Sequence, residues 1–130
     1  PGRIVLHNRA IRSLKNAVYE NPELVFKSIH LLGTTYYQMR MGKLTKKEFE
    51  AKCSELGIEE AGAIADTAEG EQGDTYFVQY HGKKVKLDRH LRKGTSREPQ
   101  FCMRIYFFWC EEESLVVIGS LPQHLSISIS

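Results

Sequence analysis

Apolar positions recur at helical spacing from residue 8 to about residue 70, and alternate with polar ones from residue 75 to 125. A β-prone run, Ile4-Val5-Leu6-His7, comes first. Ile11, Leu14 and Val18, flanked by Ala10 and Ala17, then form one apolar stripe, with Arg9, Arg12 and Lys15 on other faces of the same helix. Asn21-Pro22-Glu23 predicts a helix start: asparagine caps, proline takes the first helical position and glutamate sits in the first turn. That helix carries Leu24, Val25, Ile29, Leu32 and Tyr36 inward and runs to about Met41, where Gly42 stops it. Its Gly33-Thr34-Thr35 step is the weak point, where a kink is expected. Thr45-Lys46-Lys47-Glu48 is a capping box, opening a third helix with Phe49, Cys53 and Leu56 inward and its end at Gly57. Ile58 to Ala68, rich in alanine and glutamate, reads as a fourth helix.

Strands follow. Thr75 to His81 and Lys83 to Asp88 predict a hairpin around His81-Gly82, whereas His90 to Gln100, with Gly94, Ser96 and Pro99, reads as a polar loop. From Phe101 to Cys110 the residues alternate. Phe101, Met103, Ile105, Phe107 and Trp109 fall on one face; Cys102, Arg104, Tyr106, Phe108 and Cys110 fall on the other. Arg104 and Tyr106 are therefore expected to point off the core from a rigid element. A turn at Glu111–Ser114 leads to a last strand that ends in Leu121-Pro122-Gln123-His124. Helices followed by strands predict an α+β fold, a short N-terminal strand and helices packed on a C-terminal antiparallel sheet, in one domain over residues 1–130.

Composition, 42% hydrophobic and 26% charged, is that of an ordinary globular protein. No run approaches the ~20 apolar residues of a membrane span, and the opening residues lack the apolar core of a signal peptide. Three widely spaced cysteines do not make a disulfide framework, so reduced thiols and a cytoplasmic setting are expected. The net charge of +2 hides blocks. Residues 1–47 carry nine Lys/Arg against two acids, 48–74 nine acids against Lys52, and 75–104 eight Lys/Arg against Asp88 and Glu98. Glu111 to Glu113 complete the count. Such blocks point to an anionic partner for the basic segments, with the acidic block either facing solvent or lying on the basic surface. The alternative is that the blocks mix in space into an ordinary charged surface.

Metal-free RNA cleavage needs a base for the 2′-hydroxyl, a cation for the phosphorane and an acid for the leaving oxygen. Arg104 suits the cation, because guanidinium matches phosphate oxygens in a fork. His124 suits acid or base, and His90, beside Arg89, Arg92 and Lys93, suits a neutral base, since like charge disfavours its imidazolium. Tyr106 suits a phosphate hydrogen bond or a base stack. Each has a plainer reading: a strand ion pair for Arg104, a surface histidine for His124, one more loop residue for His90, sheet packing for Tyr106. Lys83, Lys84, Lys86, Arg89, Arg92, Lys93 and Arg97 are the candidate nucleic-acid contacts, with Gly94 allowing close approach to a phosphate. Neither CxxC nor HExxH occurs, and Cys102 and Cys110 lie about 27 Å apart along one strand, so no metal or other cofactor is expected.

The opening Ile4-Val5-Leu6-His7-Asn8-Arg9-Ala10-Ile11-Arg12-Ser13-Leu14 and the pair Arg104-Ile105-Tyr106-Phe107 and Leu115-Val116-Val117-Ile118-Gly119 resemble the RelE/ParE-like toxin superfamily. There a first strand feeds an Ala-x-x-x-Leu helix, an arginine sits on a central strand, and a His or Tyr follows the last strands. The resemblance covers the two ends of the chain; the acidic segment and the His90–Gly94 stretch have no counterpart in it. It implies a metal-independent endoribonuclease acting on RNA, with the ribosome as one setting and an antitoxin or regulatory protein as partner. Two other readings go with the same residues. One is a binding module without chemistry, on nucleic acid or, as in the ParE branch, on a protein target. The other is an interaction domain of a larger defence complex, docked through the acidic block.

Overall fold

A five-stranded sheet forms the centre, with helices on one side and a separate hairpin on the other. The computed structural model describes residues 3–15, 19–62, 76–94, 98 and 101–122. In chain order the elements are β1 (Ile4–Leu6), α1 (Asn8–Lys15), α2 (Pro22–Leu31), α3 (Tyr37–Arg40), α4 (Lys46–Leu56), β2 (Glu59–Gly62), β3 (Phe77–Tyr80), β4 (Lys83–Lys86), β5 (Arg89–Lys93), β6 (Met103–Cys110) and β7 (Leu115–Ser120). The sheet runs β1-β7-β6-β5-β2, with β1 parallel to β7 and every other pairing antiparallel. The class is α+β.

Local chemistry sets the helices. Asn21 accepts from the Leu24 N–H at 3.1 Å and Pro22 follows it. Between Leu32 and Tyr36, over Gly33-Thr34-Thr35, the α2–α3 path widens into a π-helical turn, the distortion expected there. The Thr45–Glu48 capping box forms with both bonds in place, and α4 ends on Gly57 in the left-handed conformation. Inward residues Leu24, Val25, Leu32, Tyr36, Phe49 and Cys53 are buried against Met103, Ile105, Phe107, Val116 and Ile118. Tyr36 is the hub, edge-on to both Phe49 and Phe107; burial pushes its phenol up to about 12. In α1, Ala10 and Leu14 face this core, but Ile11 is exposed. Val18 and Ala17 lie outside the described residues.

Three expectations are corrected. Ile58–Ala68 is not a helix at its start: Glu59–Gly62 is the edge strand β2, and residues 63–68 lie outside the described residues. The supposed polar loop after residue 89 begins as strand β5, hydrogen-bonded on both sides, because β2 brings glutamates to its arginines. Finally, the second face of β6 is not open. The β3–β4 hairpin lies over it and buries Tyr106, Phe108, Leu115 and Val117 under Tyr76, Val78 and Leu87.

The hairpin, turning at His81-Gly82 with both residues at positive φ, is tied down at several points. His7 Nε2 donates to the Gln79 carbonyl at 2.8 Å while its Nδ1 accepts from the Arg9 N–H at 3.0 Å. Arg9 Nη1 donates to the Phe77 carbonyl at 3.0 Å, so the free edge of β3 is capped by the β1–α1 segment. At its tip, Tyr80 donates to Glu113 in the β6–β7 turn at 2.5 Å, which holds that carboxyl below its usual range.

Close approach requires Gly119. The β6–β7 register shifts there, from Tyr106↔Ser120 to Phe107↔Ile118, leaving Gly119 as the extra residue of a bulge. An added Cβ would stand 2.7 Å from Leu87 Cδ1 and 3.1 Å from its Cγ. Gly119→Ala is expected to destabilise by about 1–3 kcal/mol through overpacking. Combined with Leu87→Ala, which alone costs about 2–5 kcal/mol, it is expected to cost clearly less than the sum of the singles. Urea unfolding of the four proteins in this cycle checks it; strict additivity would refute the contact.

Candidate nucleic-acid site

Side chains of β5 and β6 sort by strand alternation. Arg89, Leu91 and Lys93 stand opposite Phe107, Ile105 and Met103 on the helix side. His90 stands opposite Tyr106, and Arg92 opposite Arg104, on the hairpin side. Two adjacent cross-strand pairs thus place an imidazole, a phenol and two guanidinium groups in one short row. Its inner end lies under the hairpin, where the Tyr76 and Tyr106 rings meet edge-on at 5.6 Å and the His90 ring lies 5.4 Å from that of Tyr106. Burial pushes the Tyr76 phenol up, and a hydrogen bond with Tyr106 partly offsets this.

The row is deep. Tyr106 is 1% exposed, and His90 and Arg104 are each 7% exposed. Among the described residues Arg104 meets no carboxylate; its Nη1 donates to the carbonyls of Met103 at 2.9 Å and Lys93 at 3.3 Å. Its backbone N–H donates to the Pro122 carbonyl at 2.7 Å, continuing the β6–β7 contact past the end of β7. The expected outward pose of Arg104 and Tyr106 is therefore replaced by an inset pose. The reason lies elsewhere in the chain: the hairpin covers that face. His124 and Arg97 lie outside the described residues.

No family model, curated protein or solved structure matches this chain.

The predicted cations divide. Arg89, on the helix side, makes a two-pronged pair with Glu60, Nε to Oε2 at 2.5 Å and Nη2 to Oε1 at 2.6 Å. That bond, ahead of the opposing effect of burial, raises the Arg89 pKa. Arg92 donates through Nε to Glu59 at 2.6 Å and also pairs with it through Nη2. Lys93 reaches the Gly57 carbonyl at the end of α4 at 3.5 Å. Gly94 has a reason within the fold: it lies at positive φ, and a Cβ there would meet the Phe101 carbonyl oxygen at 2.5 Å. Lys83, Lys84 and Lys86 stand on β4; Lys83 lies 4.0 Å from Glu112, and Lys84 sits over the Phe77 ring.

Sequence reasoning missed the contribution of α1. Arg9 bridges to β3, and its pKa is lowered by burial and then by the like charge of Arg12. Three-residue spacing on α1, next to a hairpin of lysines, was the available signal. Two open grooves flank the exposed Phe26 of α2, bordered by His30 and Thr34, but they hold none of the residues above. Among the described residues, no group of three or more His, Cys, Asp and Glu side chains is placed to hold a metal ion.

The two glutamates of β2 differ in depth, with side chains 8% exposed for Glu60 and 64% for Glu59. Glu60→Gln is expected to cost about 1–3 kcal/mol, because it strips a charge-assisted fork from a covered position. Glu59→Gln is expected to cost less than about 1 kcal/mol. Urea midpoints of the two variants check this order, and equal midpoints would contradict it.

Proposed function

We propose that this chain is a RelE-like toxin domain, a metal-independent endoribonuclease that works in the cytoplasm and is restrained by a protein partner. The observation that carries this reading is the pairing of His90 with Tyr106 and of Arg92 with Arg104 across β5 and β6. Several features support it. Arg104 lies on the third of five strands, where the RelE-like pattern has its arginine, and β7 leads to Pro122 and on in sequence to His124. β1 feeds α1 with Ala10 and Leu14 turned inward. Among the described residues, no helix is long and apolar enough to cross a membrane.

In this mechanism RNA reaches the buried His90 only after the hairpin covering it shifts; a neutral His90 then removes the 2′-hydroxyl proton and the freed oxygen attacks the adjacent phosphorus. The P–O5′ bond breaks, leaving a 2′,3′-cyclic phosphate on one fragment. A second acid, with His124 as candidate, protonates the departing 5′-oxygen. Guanidinium charge from Arg92 and Arg104 faces the phosphorane, and Tyr106 holds the His90 ring in place by packing. Arg92 reaches phosphate only by exchanging Glu59 for it, which its exposed position permits.

A second reading, binding without cleavage, is favoured by one observation: the Arg104 guanidinium is inset and bonded to two backbone carbonyls. End-labelled RNA separates the two. Cleavage with cyclic-phosphate ends is expected for the wild type, with rates at least about a hundredfold lower in His90→Ala and Arg92→Ala. Growth arrest on expression in bacteria should disappear in the same variants. RNA binding with no cleavage by any folded form would overturn the nuclease reading and leave the binding one.

A further inference from the structure

Helix α2 turns Leu24, Val25, Ser28 and Leu31 into the core and sends Phe26 the other way, 59% exposed. An isolated exposed ring needs no explanation, but this one stands between two grooves. One, of about 640 Å³, runs between α2 and α4 past Leu31, Thr35 and Leu56. The other, of about 590 Å³, runs past Ile4, Ile29 and Gly33 toward Arg3. The Thr34 hydroxyl at their shared edge donates back to the His30 carbonyl at 2.7 Å, so its proton is committed within the helix and the walls stay mainly apolar. The rim of the α2–α4 groove is charged and balanced. Glu23 and Lys27 pair along α2 at 3.1 Å, Lys52 and Glu55 along α4 at 3.8 Å, and each of these side chains is more than half exposed. Each helix therefore offers one acid and one base to whatever enters between them.

We infer that this face, Phe26 with the α2–α4 groove, is where a second copy of the chain docks about a two-fold axis. Such an interface must be complementary to itself, because both copies present the same patch. Here knob and hole lie side by side on one surface, and so do both signs of charge. Phe26 of each copy enters the α2–α4 groove of the other, beside Leu31 and Leu56. Lys27 and Glu23 then exchange their own partners for Glu55 and Lys52 of the second copy, a change that exposed ion pairs make at little cost. A balanced rim gives no purchase to a nucleic acid or to a strongly charged protein. The inference stands apart from the RNA reading. Because α2 and α4 pack on the helix side of β6, this contact leaves the hairpin side, with the His90 row, free in both copies.

Sedimentation velocity of the full chain over a micromolar to millimolar series tests this. The wild type is expected to pass from monomer to dimer within that range. Phe26→Asp is expected to raise the dissociation constant at least about thirtyfold, since a central aromatic anchor is lost. Its urea midpoint should stay that of the wild type, because the ring is exposed. Lys27→Glu and Glu55→Lys should each raise the constant about tenfold by setting like charges together, and the double variant should return it to within about threefold of the wild type. Damage to the fold would not produce that rescue, since within one chain the two residues pair with different neighbours. A wild type that stays monomeric throughout would overturn the inference. If that monomer also binds anilinonaphthalene sulfonate, and Phe26→Asp does not, the face belongs to a different protein. A dimer unmoved by Phe26→Asp, or charge variants that the double change fails to rescue, would overturn it too.

Discussion

Strand β6 is covered on both sides, and the other elements are placed by that requirement. Its first six residues are all buried, against helices on one face and the hairpin on the other. A strand so placed cannot leave backbone groups unpaired, so β5 pairs with its first half, Met103–Phe107, and β7 with Tyr106–Cys110. Apolar burial at roughly 25 cal/mol per Å² on two faces makes this strand the main source of cohesion. Loss of the hairpin would expose Tyr106, Phe108 and Val117 together, which explains why it is tied down by His7 and Arg9 of the β1–α1 segment and by Glu113 of the β6–β7 turn.

Polar chemistry enters this interior only at one corner. His90, Arg104 and Ser120 are the buried polar or charged side chains of the sheet among the described residues, and all lie toward the end of β6 away from the hairpin tip. A guanidinium there is tolerable because two carbonyls accept from it. Groups held this way are stiff, which suits positioning more than reach. The lysines of β4 differ: Lys83 and Lys84 are exposed on the outer hairpin.

Much of this architecture could be read from the residues. Caps at Asn21 and Thr45, the stop at Gly57, the distortion at Gly33 and the turn at His81-Gly82 are local devices, set by a few neighbouring groups, and they appear where the pattern puts them. What could not be read was set by distant partners. Arg89-His90-Leu91-Arg92-Lys93 looks like a loop until Glu59 and Glu60 stand beside it, and Glu59–Gly62 looks helical until β5 offers an edge. The same blindness hid the site's depth: alternation assigned Arg104 and Tyr106 to the correct shared face, but the cover comes from Tyr76, Val78 and Leu87, far earlier in the chain. Arg9 and Arg12 escaped notice because helical periodicity marks what a helix buries, not which strand its polar side will meet.

The parallel seam between β1 and β7 carries a further consequence. Ile4, Val5 and Leu6 lie beside Val116, Val117 and Ile118, so among the described residues the first strand finds its sheet neighbour more than a hundred residues later. Until Val116–Ile118 are in place, the apolar side chains of β1 have no neighbour in the sheet among the described residues. Closing so long a loop is entropically slow, and the sheet is complete only when it closes. Assembly of the sheet is thus governed by its longest-range contact, the seam between the first and last described strands.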